Sequence, residues 1–401
     1  MALLHHFKKS VRPFKIGPDF IDPIFHHKIS NTPSVNLDAF MMNKKQVKWL
    51  YKKYSDKDIS ICEGVMGFYD GMDKGSSAYD ISKLLQIPTI VILDGSSSYI
   101  TVSAILKGLL TYKKNNTIKA IVLNKISSQG HFELIKNIIE EDFKDISVLG
   151  WIQKDLQSLS ETHLGLDIND SSRIKRISKD VLKHIDIKML KKIASKCKIP
   201  KIDNYPFKKI KQIDKKLAIV NDENFSFLYH DNAKFLKEIF RDVVFIDSTK
   251  NETIPKDADS VYVVGGYVEQ EHNYKKIKNS HKFKDSLILH SKTKPIYAEC
   301  AGMLYLSNRV DDKKMSGILD LDFTMHDRFQ RMGYYFSGND SIKGHAFHYT
   351  NIINSKDGVD ALFKQKGNIG EIASWKKNNV FGTYLHTMLR NNPSIVKKRF
   401  T

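Results

Sequence analysis

Pro295-Ile296-Tyr297-Ala298-Glu299-Cys300-Ala301-Gly302-Met303-Leu304-Tyr305-Leu306 is the stretch whose reading decides the fold. Short apolar residues lead into a Cys, a small pair follows, and an apolar run with helical spacing begins, which predicts strand, tight turn and helix. A Cys at that corner places its thiol near a helix N-terminus, where the unpaired N–H groups favour thiolate, the nucleophilic form. A small buried Cys packed behind a helix is the ordinary alternative for such a residue. The neighbouring segments decide between the two.

Upstream, Ser260-Val261-Tyr262-Val263-Val264-Gly265-Gly266-Tyr267-Val268-Glu269 reads as a buried strand opening into two glycines, where backbone N–H groups can turn toward an oxyanion. Downstream, Val380-Phe381-Gly382-Thr383-Tyr384-Leu385-His386 sets a His just after a short apolar strand. A Cys nucleophile, a distant His and a glycine-rich loop are the parts an acyl-transfer site needs. In order and local sequence they resemble the class I glutamine amidotransferase domain. That resemblance implies Cys300 as nucleophile on the glutamine carboxamide, His386 as the group that raises its nucleophilicity, and the N–H groups of Gly266 and Ala301 as the oxyanion hole. Many domains of this class carry an acid two positions after the His; here Thr387-Met388 follows. The expectation is therefore a Cys/His dyad with its third member open.

At 401 residues the chain is long enough for two ordinary domains, and an apolar fraction of 41% can fill them. No window approaches about 18 consecutive apolar residues and no signal-peptide core is present, so the expectation is a cytoplasmic protein with no membrane partner. Three scattered cysteines, Cys62, Cys197 and Cys300, offer neither a disulfide framework nor a zinc pair. The net charge of +19 comes mostly from Lys spread along the whole chain, without a recognisable nucleic-acid-binding module. Nucleic acid is therefore not an expected partner, although a positive field would speed the encounter with a polyanionic substrate.

Along the chain, Val11 to Ile16 reads as a strand running into Gly17-Pro18-Asp19-Phe20-Ile21-Asp22-Pro23, and the residues before it, Met1 to Ser10, as the last turns of a helix. Two Asp three positions apart beyond a strand end can hold a metal ion or its waters, or can simply make a surface turn. A second strand, from Ile59, delivers Glu63 to its C-terminal edge ahead of Gly64, Gly67 and Gly71. Strands ending at Asp94, at Asn124 and at Leu149 alternate with helices Ala78 to Leu85, Tyr99 to Leu110 and Phe132 to Ile139. This alternation implies a parallel sheet with right-handed crossovers. One or two amphipathic helices over Asp180 to Ala194 close the first half, and the Lys-rich 196–216 reads as a solvated linker. A second alternation begins with strand Leu217 to Val220 and helix Ser226 to Ile239. The expected organisation is thus 1–195, linker 196–216, and 217–401, both domains α/β with parallel sheets. His345 and His348 in Gly344-His345-Ala346-Phe347-His348-Tyr349 are a weak metal pair, since no third ligand is in sight.

Taken together, RPFKIGPDFIDP (Arg12 to Pro23), EGVMGFYDG (Glu63 to Gly71), IVLNK (Ile121 to Lys125), HLGL (His163 to Leu166), VGGY (Val264 to Tyr267), YAECAGMLYL (Tyr297 to Leu306), GHAFHY and the closing TYLH stand in one order. That order is similar to the cobyrinic acid a,c-diamide synthase family. The resemblance implies a P-loop-type, dethiobiotin-synthetase-like domain that uses ATP and Mg²⁺ to phosphorylate acetate carboxylates of cobyrinate, first c and then a, followed by the amidotransferase domain. Ammonia freed from glutamine at Cys300 would displace phosphate and leave an amide, passing through a channel between the domains. By the same resemblance Asp19, Asp22 and Glu63 surround the metal and the reacting carboxylate, Lys15 faces phosphate, and Asn124 lies near the adenine.

Three departures stand out. No G-x-x-x-x-G-K-[ST] phosphate loop occurs in the chain. The first domain is therefore expected to be incomplete, lacking its central strand, as a late start codon or truncated gene model would produce. Ala346 and Val268 stand where relatives usually carry Glu and Pro. Amidation of hydrogenobyrinate or nickel-sirohydrochlorin, and a chain retaining only glutaminase activity, remain the alternatives.

Overall fold

Short runs of Val, Ile and Phe bounded by Gly, Pro and Asn become strands, and the longer periodic runs between them become helices. The computed structural model describes residues 9–156, 161–162, 165–166, 171–202, 204–338, 342–354, 358–364 and 370–401. It divides into two units, Met1–Ala39 with Asn43–Pro206, and Phe40–Met42 with Phe207–Thr401. Of the helix tail expected over Met1 to Ser10, all but the last two residues lie outside the described residues, as do His163 and Leu164.

The first unit alternates β1 (Val11–Ile16), α1 (Ile21–Ser30), β2 (Val35–Leu37), α2 (Lys44–Tyr54), β3 (Ile59–Gly64), α3 (Ala78–Leu85), β4 (Thr89–Asp94), α4 (Ile100–Tyr112), β5 (Ile118–Ile126), α5 (Gln129–Asp142) and β6 (Ser147–Gln153). A short hairpin, β7 (Glu161–Thr162) with β8 (Gly165–Leu166), and helices α6 (Ser171–Leu182) and α7 (Ile187–Ala194) follow. All pairings among β1 to β6 are parallel, but they form two separate three-stranded sheets, β2-β1-β3 and β4-β5-β6, rather than one. β3 and β4 are not hydrogen-bonded to each other.

β1 is buried along its whole length, including two cations. Arg12 survives there because Asp56 accepts from Nε and Nη2 at 3.0 and 2.9 Å and the Pro33 carbonyl accepts from Nη1 at 2.7 Å. β5 is covered on both faces, as its period-two pattern requires. Ile121 and Leu123 pack with Val102, Leu106, Ile135 and Ile139 of α4 and α5, while Ala120 and Val122 face Met189, Leu190 and Ile193 of α7. Asn43 and Ser77 start α2 and α3 with capping boxes closed by Gln46 and Asp80.

The second unit is built on a nine-stranded sheet. Five parallel strands come first: β9 (Ile213–Val220), β10 (Phe240–Ile246), β11 (Ser260–Val263), β12 (Ile296–Glu299) and β21 (Val380–Thr383). β9 begins at Ile213, inside the stretch expected to be linker. Helices α8 (His230–Ile239), α9 (Glu271–Ile277), α10 (His281–Ser291) and α11 (Ala301–Leu306) connect them. A small sheet of β13 (Arg309–Val310), β14 (Lys313–Lys314), β15 (Asp322–Met325) and β18 (Thr350–Ile352) stands apart. β16 (Arg331–Ser337), β17 (Ile342–His348), β19 (Asp360–Phe363) and β20 (Glu371–Lys377) extend the large sheet antiparallel, in the order β21-β20-β19-β16-β17, and α12 (Pro393–Phe400) closes the unit. In this unit Arg390, 1% exposed, is held between Asp231 and Glu238 of α8, with bonds of 2.8 and 2.6 Å. Among the described residues no helix is long and apolar enough to cross a membrane.

Candidate active sites

β12 lies between β11 and β21 in the interior of the large sheet, so the residue after its last one emerges at the C-terminal edge of the parallel strands. That residue is Cys300. Its backbone takes φ 46°, ψ −112°, a conformation rare for a side-chain-bearing residue, while its N–H donates to Thr383 O at 2.7 Å and its C=O starts α11 by accepting from Leu304 N at 2.9 Å. Gly302 lets α11 approach β11: a Cβ there would lie 2.3 Å from Val263 O. The thiol, 4% exposed, lines a narrow pocket with Gly266, Tyr267, Glu269, Phe347 and Tyr349.

The protonation state of this thiol differs from the sequence expectation. Burial, then the charge of Glu269, pushes the Cys300 pKa well above its ordinary value, against a lowering contribution from the Ala301 N–H. α11 has only six residues and offers little dipole to offset the desolvation. The resting group is a thiol, so thiolate must be generated by a base.

His386, the base expected from the sequence, lies on the segment that follows β21. Its backbone exchanges both hydrogen bonds with His345, N–H to O at 2.8 and 2.9 Å, which ties the chain after β21 to β17. Its ring abuts Gly265, where a Cβ would lie 2.4 Å from Cε1, so the first glycine of the pair makes room for the imidazole. Its Nδ1 is 3.0 Å from Oε2 of Glu299, and that carboxylate also accepts from the Tyr297 hydroxyl at 3.0 Å through Oε1. A carboxylate on Nδ1 puts the ring proton there and leaves Nε2 as the basic nitrogen. The acid that stands beside the His is thus the residue immediately before the Cys. Glu299 was printed in the decisive stretch, but its role depends on β12 pairing with β21, with Glu299 opposite Thr383. Gly266 lines the thiol pocket, and the Ala301 N–H bears on the sulfur.

His345 and His348 do not form a metal pair. Three positions apart on β17, they fall on opposite faces of the sheet. His348 donates from Nδ1 to Thr350 O at 2.9 Å and stacks on Tyr384 with centroids 3.5 Å apart. Burial pushes both imidazoles down to about 3, which leaves them neutral.

In the first unit, β1 carries Lys15 into a cluster of acids. The ammonium, 1% exposed, pairs with Asp22, lies 3.6 Å from Asp19 Oδ2 and 3.8 Å from Glu63 Oε1. Asp22 sits in the first turn of α1, and Glu63 comes from β3, whose register sets it opposite Lys15. His26, absent from the sequence reading, pairs with Glu63 through Nε2 and lies 3.1 Å from Ser34 Oγ through Nδ1. Burial raises the Asp19 carboxyl; at Asp22 and Glu63 burial acts in the same direction, but Lys15 and, at Glu63, His26 hold them below their ordinary values. Among the described residues no three His, Cys, Asp or Glu side chains form a ready metal cage. An all-oxygen donor set suits Mg²⁺ nonetheless, because that ion needs only one or two protein carboxylates beside water and phosphate. Asn124 lies on the other sheet, within β5 opposite Asp94 at the end of β4, and its side chain accepts from Lys125 N at 2.9 Å.

Residues 216–394 match the CobB/CobQ-like glutamine amidotransferase domain. The cobyrinate a,c-diamide synthase of Caldanaerobacter subterraneus is 34% identical over 385 residues, 90% of this chain and 84% of that one. That of Saccharolobus solfataricus is 34% identical over 409 residues, 96% of this chain and 92% of that one, and that of Methanococcus maripaludis 31% over 416 residues, with the same coverage. With relatives of this likeness along nearly its whole length, the chain belongs to the cobyrinate a,c-diamide synthase family.

Proposed function

We propose that this protein is an ATP- and glutamine-dependent ligase that converts the c and a acetate carboxylates of cobyrinate to amides by way of acyl phosphates. The observation that carries the reading is the hydrogen bond from His386 Nδ1 to Glu299, set beside a nucleophile on a strained turn. In the glutaminase half, His386 Nε2 takes the Cys300 proton and the sulfur attacks the carboxamide carbon. The Gly266 and Ala301 N–H groups hold the oxyanion, and His386 returns its proton to the departing nitrogen. Water then hydrolyses the thioester, releasing glutamate and restoring the thiol. Glu299 touches no substrate atom; it fixes the tautomer and orientation of the imidazole.

In the first unit, a carboxylate oxygen of the macrocycle attacks the γ-phosphorus of ATP and ADP leaves. Phosphorylation turns a poor leaving oxygen into a good one, so ammonia can add and expel phosphate. Asp19, Asp22 and Glu63 would hold Mg²⁺, which would supply charge neutralisation at the phosphates. Lys15 lies among them, and its ammonium would face the phosphoryl group. Asn124 is assigned to the adenine.

The test is incubation of the purified chain with cobyrinate, glutamine and ATP, reading monoamide and diamide by mass spectrometry. Expected are diamide, ADP and glutamate, with Cys300→Ala losing glutamine-dependent amidation but still using added ammonium salt. Glutamine hydrolysis without ADP formation would instead assign a glutaminase alone. Amidation of nickel-sirohydrochlorin or hydrogenobyrinate but not cobyrinate would move the substrate to another tetrapyrrole.

A further inference from the structure

We propose that Glu269 receives the α-ammonium of the nitrogen donor in the Cys300 pocket, and so restricts that donor to a free amino acid with an unblocked amine. The inference rests on the glutaminase reading above and deepens it.

Glu269 follows the glycine turn at the end of β11, and its side chain lines the same narrow pocket as Cys300 and Gly266. Its Oε2 is enclosed and has no hydrogen-bond partner among the described residues. A buried carboxylate oxygen left unpaired is destabilising, and such a group persists where a ligand completes it. The pocket supplies no cation to do so. None of its lining residues is Lys or Arg, and His348 is neutral there. Lys313 exerts only a weak pull on Glu269 and stands 3.9 Å from both Glu271 and Asp312. Desolvation accordingly pushes the Glu269 carboxyl up to about 7.

Whatever enters must therefore offer a carboxamide to the sulfur and a positive charge to Glu269. Glutamine has both, joined by a short chain of carbons. The closeness of the two groups is visible in the thiol itself, since the charge of Glu269 is the second largest influence raising it. An ammonium on Glu269 cancels that influence. Donor binding thus removes an obstacle to thiolate formation at the moment a carboxamide is present to be attacked.

The experiment compares hydrolysis of L-glutamine with hydrolysis of glutaramate, the same molecule without its α-amino group, by the full chain and by Glu269→Gln. Wild type is expected to favour L-glutamine in kcat/KM by about 10²-fold or more, as expected where a buried polar group is left unpaired by the lesser substrate. In Glu269→Gln that preference is expected to collapse to within a few-fold, through a raised KM for glutamine. An unchanged preference, including an equal loss of rate on both substrates, overturns the proposal, because it would make Glu269 a proton carrier or a structural group. Should turnover be lost in the variant, inactivation of Cys300 by 6-diazo-5-oxo-L-norleucine and by its des-amino counterpart reads the same preference without turnover. Failure of the underlying glutaminase reading shows separately, as a wild-type chain that hydrolyses no glutamine.

Discussion

Glu299 Oε2 and His386 Nδ1 stand 3.0 Å apart across the seam between β12 and β21, both side chains buried. Because Glu299 is bonded directly to Cys300, the strand that delivers the proposed nucleophile also delivers the group proposed to orient its base. An amide in place of this carboxylate would present a donor as well as an acceptor to Nδ1 and permit the wrong tautomer. Glu299→Gln is therefore expected to lower glutaminase kcat by about 10³- to 10⁴-fold with little change in KM. Glu299→Asp should recover part of the loss. A structural role alone would lower thermal stability and leave the kcat of the folded fraction intact.

The thiol gives the next expectation. Burial and the neighbouring carboxylates Glu269 and Glu299 raise Cys300, so thiol persists above the pH at which an ordinary cysteine has ionised. Alkylation of Cys300 by iodoacetamide in the resting enzyme should be slow at neutral pH and still rising beyond pH 9, whereas a free thiol levels off once past about 8.5. A rate already at its plateau by pH 7 would show a preformed thiolate and contradict the buried-thiol account.

What the sequence disclosed follows the range of the interactions involved. The Cys300 corner, the glycine pair and His386 could be read because each is a local pattern of strand, turn and special residue. Lys15, Asp19, Asp22 and Glu63 could be grouped through resemblance, and the parallel register of β1 with β3 sets Glu63 opposite Lys15. Glu299 was in plain sight, yet nothing local says that it faces a residue 87 positions away. The thiolate expectation failed for a different reason: burial of the sulfur is a tertiary quantity, and it outweighs what a six-residue helix can offer. The antiparallel extension from β16 to β20 also escaped, because its short strands mix polar and apolar residues without a clean alternation.

On the proposed function, a substitution at Lys15 separates the two half-reactions. Its ammonium is enclosed by three carboxylates, so Lys15→Met leaves Asp19, Asp22 and Glu63 facing one another without a countercharge. Repulsion should raise their proton affinity and remove the cation assigned to the phosphoryl group. ATP-dependent amidation is expected to fall by about 10²-fold or more, while glutamine hydrolysis, carried by the other unit, continues. Equal loss of both activities would deny the division of labour between the units.

Glu269 makes a prediction about stability that is independent of turnover. Its carboxyl is pushed by burial from the ordinary 4.5 up to about 7, so between those pH values the folded chain holds a proton there that the unfolded chain has released. The unfolded state binds fewer protons in that window, and stability contributed by this group therefore falls as pH rises through it, by no more than about 3 kcal/mol. Above pH 7 the folded protein carries the cost of a charge on a half-buried carboxylate whose Oε2 is enclosed. Glu269→Gln removes the penalty with almost no change of shape. The variant should unfold at a higher temperature than wild type at pH 8, and the difference should shrink toward pH 5. Added L-glutamine should raise the wild-type midpoint at pH 8, since an ammonium neutralises the same charge, and should do much less for the variant. Equal midpoints for the two proteins at pH 8 would mean that solvent or another residue already satisfies the carboxylate, and both the stability cost and the ammonium assignment would fall together.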